Sequence, residues 1–197
     1  MKKLFVTMIA MAAAVTAFAQ MPEGLAVGAG YLSGDWKTKA PHYSHTETYG
    51  GFFVNADYNI SLGEALGVAP GVAVSYLSKS ENDVKDTFLD LSIPVMVNYA
   101  FPVADILKVI PFAGPTVQLG LSAKSKAGDT TRNMYHKDND ISRLQLFVGA
   151  GCALEIAEIL RVHIGYDLGL LNRYTGDGND DYKISNSGLH FGVSYLF

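Results

Sequence analysis

The chain predicts an all-β fold, an eight-stranded antiparallel up-and-down transmembrane β-barrel, on three observations. First, apolar residues alternate with small or polar ones over eight separate stretches. A period of two marks a strand with two different faces. Second, polar connections alternate along the chain with shorter or more apolar ones, as they do in barrels that cross a bilayer. Third, the chain is 49% hydrophobic and only 17% charged, yet it holds no internal run of the ~18 apolar residues that mark a spanning helix. Its 197 residues suit one domain. A single Cys excludes a disulfide framework and a cysteine zinc site. A net charge of −4 argues against nucleic acid as a partner.

The first element is a targeting segment. Residues 1–19 place Lys2 and Lys3 before an apolar stretch from Leu4 to Val15 and end on Ala17-Phe18-Ala19. That is the pattern of a cleaved signal peptide, so the barrel domain occupies 20–197 and begins at Gln20. The strands follow in order. Segment 25–32 sets Leu25, Val27, Ala29 and Tyr31 against small residues. Segment 49–60 sets Phe52, Val54, Ala56, Tyr58 and Ile60 against Phe53, Asn55, Asp57 and Asn59. In 68–77 the apolar face is Val68, Val72, Val74 and Tyr76. The clearest case is 86–99, where Leu89, Leu91, Ile93, Val95, Val97 and Tyr99 oppose Asp90, Ser92, Pro94, Met96 and Asn98. Val117, Leu119 and Leu121 mark 110–123, and Leu144, Leu146, Val148, Cys152 and Leu154 mark 141–156. Leu160 to Leu170 and Leu189 to Phe197 complete the set.

Stretches 33–48, 78–86, 124–140 and 172–186 read as long polar loops. Stretches 61–67, 100–109 and 157–159 read as the opposite connections. The first strand leaves the periplasm, so the polar loops are expected outside. Counting segments gives eight strands, with ten as the alternative. Pro94 and Pro115 predict local bulges, because proline cannot donate a ladder hydrogen bond.

A soluble sandwich alternates too, but its outer face usually carries many Lys, Glu and Thr. Here the minor face is mostly Gly, Ala, Ser and Asn, which suits a narrow barrel interior, and the apolar face carries no charge. A Lys or Arg at the bilayer midplane would cost about 2–4 kcal/mol. Tyr31, Tyr58, Tyr76, Tyr99, Tyr166 and Tyr195 lie on the apolar face near strand ends, like an interfacial aromatic girdle. The chain ends on alternating Phe191, Val193, Tyr195 and Phe197. This ending resembles the C-terminal signal that barrel-assembly machinery reads, with Tyr195 and Phe197 as its aromatics.

Two stretches carry a family resemblance. Phe88 to Tyr99 resembles the L-x-I-P-hydrophobic-x-x-Y strand of the small outer-membrane β-barrels of Bacteroidota, often called PorT-like or porin-family proteins. Pro111-Phe112-Ala113-Gly114-Pro115 looks like that family's P-Y/F-x-G-P stretch. The architecture is similar to OmpX and the barrel of OmpA. The resemblance implies a bacterial outer-membrane location and fixes no single function.

The alternation turns Asp57, Asp90, Arg143, Glu155, Arg161, His163, Asp167 and His190 into the lumen. A turn centred near Glu158 puts Glu155 opposite Arg161. A loop centred near 178–179 puts Asp167 opposite His190. An eight-stranded barrel is just wide enough for its own side chains to fill, so these groups read as a structural polar network. An ion-conducting channel is the alternative. An enzyme would need His163 or His190 with Asp167 and a nucleophile such as Ser75 or Ser194, and no G-x-S-x-G elbow is present.

Outer loops on a rigid scaffold are the remaining seat of function. Trp36 and Tyr43 are the contact candidates. His42-x-x-His45 offers too few ligands for a metal. Asp177-Gly178-Asn179-Asp180-Asp181 fails as a calcium loop, since Tyr182 stands where Gly is needed. Cys152 reads as a small apolar residue on the lipid face. The expectation is a monomer with no catalytic residue, cofactor or metal. Its role is structural, surface-contacting or envelope-assembling, with a passive channel second and a lipid-modifying enzyme third. Its partners are outer-membrane lipid and lipopolysaccharide, the assembly machinery and an unidentified surface partner.

Overall fold

The computed structural model describes residues 24–135, 141–176 and 182–197. The signal peptide read at 1–19, the start at Gln20 and the acidic stretch 177–181 lie outside them. The described residues form eleven strands: β1 (Leu25–Ala40), β2 (Tyr43–Tyr58), β3 (Ile60–Ser61), β4 (Leu66–Glu81), β5 (Val84–Tyr99), β6 (Phe101–Ala104), β7 (Leu107–Ala127), β8 (Thr130–Asn133), β9 (Leu144–Ile156), β10 (Leu160–Gly169) and β11 (Lys183–Leu196). Eight of them close a ring in the order β1-β2-β4-β5-β7-β9-β10-β11, with β11 returning to β1. Every pairing is antiparallel. The short β3, β6 and β8 extend its rims. The first and last described residues meet at one rim, where the Gly24 N–H donates to the Phe197 carbonyl at 3.2 Å. We call this the terminus end and the opposite rim the distal end.

The two faces of the alternation separate as a bilayer requires. Phe52 is 60% exposed and Ile164 53%, and the same holds around the ring for Val74, Ile93, Val97 and Leu119. A continuous apolar belt of this kind is a lipid-facing surface. Aromatic rings edge it on both sides. Phe52 lies 5.5 Å from Tyr76 and Tyr31 5.8 Å from Phe191 toward the distal end, and Tyr99 lies 4.5 Å from Phe101 toward the terminus end.

Two expectations change. Two of the stretches read as long loops, 33–48 and 78–86, are largely strand, and 124–127 and 130–133 are strand within a third. β1, β2, β4 and β5 run 16 residues each and β7 runs 21, well past the roughly 9–11 that cross a bilayer. The 33–48 stretch is a hairpin turning at Pro41 and His42. The 78–86 stretch turns at Asn82 and Asp83, whose φ angles of 49° and 62° match a tight primed hairpin turn. Above lipid a strand needs no apolar outer face, so the alternation loses its apolar half while the backbone ladder continues. The wall is tall through β1 to β7 and low at β10, which has only 10 residues.

The expected bulges at Pro94 and Pro115 are absent. Pro94 pairs with Thr116 and Pro115 with Val148 in unshifted ladders. A missing donor interrupts one rung without adding a residue to either strand. The register shift instead falls between Leu89 and Asp90, where Leu121 is the extra residue on β7.

Candidate functional site

The lumen is organised in layers. At the terminus end the tight turn through Ala157 and Glu158 sets Glu155 directly opposite Arg161. Arg161 Nη2 lies 3.0 Å from Glu155 Oε2, and its Nη1 lies 3.3 Å from Asp57 Oδ2. Asn55 donates to the second Asp57 oxygen at 3.0 Å. Lys108 extends the cluster, 3.4 Å from Glu155 and 2.7 Å from Glu158. The hydrogen bond and charge of Lys108 hold the Glu158 carboxyl below its usual range.

The middle layer holds the histidines. Asp167 and His190 are not directly opposed, as the expected loop centre would have them. Asp167 faces Gly188 and His190 faces Gly165, because the true centre lies one residue earlier. The side chains still meet diagonally, with His190 Nε2 3.5 Å from Asp167 Oδ2. The His163 and His190 rings are 5.8 Å apart, and Phe53 sits 6.0 and 6.1 Å from them. Gly192 makes this possible, since a Cβ there would stand 2.9 Å from both the His163 ring and Phe53.

The distal layer is aromatic. Tyr49, Leu77, Phe88, Ala123 and Tyr135 form a buried cluster. Arg173, from the segment after β10, is 2% exposed. Its guanidinium lies 4.1 Å from the Trp36 ring centre and donates to the Tyr135 hydroxyl. The Trp36 ring centre also lies 4.3 Å from that of Phe88 and 5.3 Å from that of Tyr49, both pairs tilted. Tyr135 folds inward over Gly120, whose missing side chain leaves the space that its phenol fills. Burial pushes the Tyr135 hydroxyl above its ordinary pKa. The buried Asp90 and Gln145 lie in the strands around this layer.

Two sequence assignments are corrected here. Trp36 is not a loop contact. It continues the inward parity of Leu32 and Gly34 along β1 and packs in the plug. Arg143 is not in the interior network. It precedes β9, where strand parity no longer governs, and stands exposed at the rim. Its guanidinium lies 5.0 Å from the Tyr135 ring centre and 3.4 Å from the Tyr135 carbonyl. Tyr43 does lie exposed at the distal tip, 6.2 Å from His45. Tyr195 faces outward and packs 4.8 Å from Phe197. Cys152 is exposed on the outer face. Arg173 and Tyr135 escape the alternation, because both sit in connections that have no period to read.

Between the ionic and aromatic layers lies a cavity of about 240 Å³. Ser75 Oγ, Asp90 Oδ1, Arg173 Nε and Asn186 Oδ1 border it without a protein hydrogen-bond partner. Ser75 Oγ makes no hydrogen bond to His163 or His190. Among the described residues no group of three or more His, Cys, Asp or Glu gathers to hold a metal.

A closed ring of eight antiparallel strands, a lipid-facing belt and a lumen lined by polar and aromatic side chains define a small transmembrane β-barrel. The sequence agrees: residues 4–197 match the family described as outer membrane protein beta-barrel domain, and the chain belongs to it. The attachment invasion locus protein Ail of Yersinia pestis is similar in fold, with a TM-score of 0.52 and 16% identity over 89% of this chain and 100% of that one. Neisserial surface protein A is similar at a TM-score of 0.50 and 19% identity, over 88% and 97%. The outer membrane enzyme PagL aligns more loosely, at a TM-score of 0.47 and 15% identity over 82% and 97%. No curated protein matches the chain.

Proposed function

We propose that this protein is a closed outer-membrane barrel whose role is structural and surface-contacting rather than conductive or catalytic. One observation carries this reading: the Arg173–Trp36–Tyr135 plug caps a lumen already crossed by the Arg161 ion cluster. An eight-stranded barrel filled in this way offers no continuous aqueous path. Residues 1–19 serve as the signal peptide, the terminus end faces the periplasm, and the tall hairpins with Tyr43 face outside. Tyr195 and Phe197 are read by the assembly machinery, and the mature chain is a monomer of the PorT-like group. Planar-bilayer recording tests the core of this reading. Purified protein is expected to give no stable current, and a steady ion-selective current would overturn it.

The second reading is a small passive channel, favoured by the four unpartnered polar atoms that border the cavity. At about 240 Å³ it is roomy enough for several waters, each needing more than ~10–15 Å³ and two to four polar partners. Current that appears only after the plug is removed would support a pore held closed.

A further inference from the structure

The lysines of β4, β5 and β7 fall into two groups. Lys79 and Lys108 face the lumen and each holds two carboxylates. Lys85, Lys124 and Lys126 face outward and make no ion pair among the described residues. Their arrangement works against the fold. Lys85 on β5 and Lys126 on β7 are directly opposed in the ladder, and Lys124 is the neighbour opposite Thr87. Like charges directly opposite on one sheet face repel and destabilise the pair. Among the described residues no carboxylate pairs with these lysines, and Glu81 and Asp86, the acids of the adjoining strands, lie on the lumen-facing parity. The outward neighbours across β4 and β8 are Ser80 and Thr131.

Height gives the cluster its meaning. Leu89 pairs with Tyr76 at the distal aromatic girdle. Lys124 stands two residues past that level and Lys85 with Lys126 four. At ~3.3 Å per residue and a tilt near 40°, they lie roughly 5–10 Å beyond the apolar band, at headgroup depth.

We propose that Lys85, Lys124 and Lys126 form a binding patch for the phosphate of an anionic glycolipid whose acyl chains lie along the outer face of β5 and β7. Phosphate bridging the opposed Lys85 and Lys126 removes the repulsion, and Ser80 and Thr131 offer flanking hydroxyls. A second opposed pair, Lys39 and Lys183, stands on the far side of the ring. Lys39 is eight residues past Tyr31, too high for a headgroup phosphate, so this pair serves as an internal control. The proposal rests on the reading of the chain as an outer-membrane barrel.

Native mass spectrometry of the folded barrel in detergent, with diphosphorylated lipid A as the probe, tests it. Wild type is expected to retain the lipid, and each lysine removed is expected to weaken retention about fivefold. Thus Lys126→Gln shows one step, and the Lys85→Gln/Lys124→Gln/Lys126→Gln variant shows near-complete loss. Lys39→Gln/Lys183→Gln and a triple Lys→Arg variant are expected to bind as wild type does. Four results would each overturn the patch: unchanged binding by the triple glutamine variant, equal binding of dephosphorylated lipid A, displacement by excess inorganic phosphate, or equal loss in the control pair. A heat-modifiability gel on each sample separates the two layers of inference. If wild type itself shows no folded band, the barrel reading fails rather than the patch.

Discussion

The two ends of the lumen solve one problem, closing a narrow tube, with opposite chemistry. At the terminus end the closure is ionic: Arg161 is held between Glu155 and Asp57, and Lys108 is held between Glu155 and Glu158. At the distal end it is aromatic, with one cation, Arg173, laid on Trp36 and bonded to Tyr135. The difference follows from the elements that supply each part. Asp57, Glu155 and Arg161 sit in paired strands, and Glu155 and Arg161 flank a tight turn, so their positions are fixed by the ladder before any side chain interacts. Arg173 and Tyr135 come from connections, which lack that constraint. Packing area and a cation–π contact must hold them instead. The ionic end is therefore part of the wall, whereas the aromatic end is a cap laid on it.

This comparison can be broken by substitution. The largest effect is expected from Arg161→Ala, which leaves two part-buried carboxylates facing each other. Breaking a buried pair costs about 3–5 kcal/mol, and the whole barrel should unfold earlier in a urea titration from lipid vesicles. A change below ~1 kcal/mol would mean that the carboxylates find other partners. Arg173→Ala should cost about 1–3 kcal/mol, from one charged hydrogen bond and one buried cation–π contact. Its signature is locality: amide exchange should quicken in the distal parts of β1, β5 and β7 and stay slow at the terminus end. Uniform quickening would show that the cap and wall are one unit. Gly120→Ala drives a methyl into the Tyr135 phenol and should cost ~1–2 kcal/mol by overpacking, with the same distal pattern.

The smallest effect belongs to Glu158→Gln at the exposed turn. Because Lys108 lowers the Glu158 pKa, its small contribution is present above the usual carboxylate range and is lost as pH falls through the lowered value. Wild type and variant should therefore converge in acid and differ slightly at neutral pH. A gap that widens in acid would reverse the sign and discard the pairing.

Much of the ionic end was legible from sequence, and little of the aromatic end was. Glu155 and Arg161 could be paired by counting from one short turn, since a two-residue period and a tight hairpin leave no freedom. Asp167 and His190 were displaced by one register step, because the connection between them is long and its centre cannot be counted. Trp36 was readable in principle: it shares even-numbered parity with Ala26, Gly28, Gly30, Leu32 and Gly34. The signal was hidden because its outward neighbours, Asp35 and Lys37, are polar where the strand has left lipid. Arg173 and Tyr135 offered nothing to count. Their positions depend on the cavity over Gly120 and the face of Trp36, which exist only once the ring has closed.

Trp36 has one more consequence. It is the chain's single tryptophan, and it lies under a guanidinium within the cap. Its emission is an intrinsic optical reporter of that region, free of background from any other indole. Any condition that lifts Arg173 from the ring will change the wavelength or intensity of that emission, so the state of the cap can be followed in intact membranes without a label.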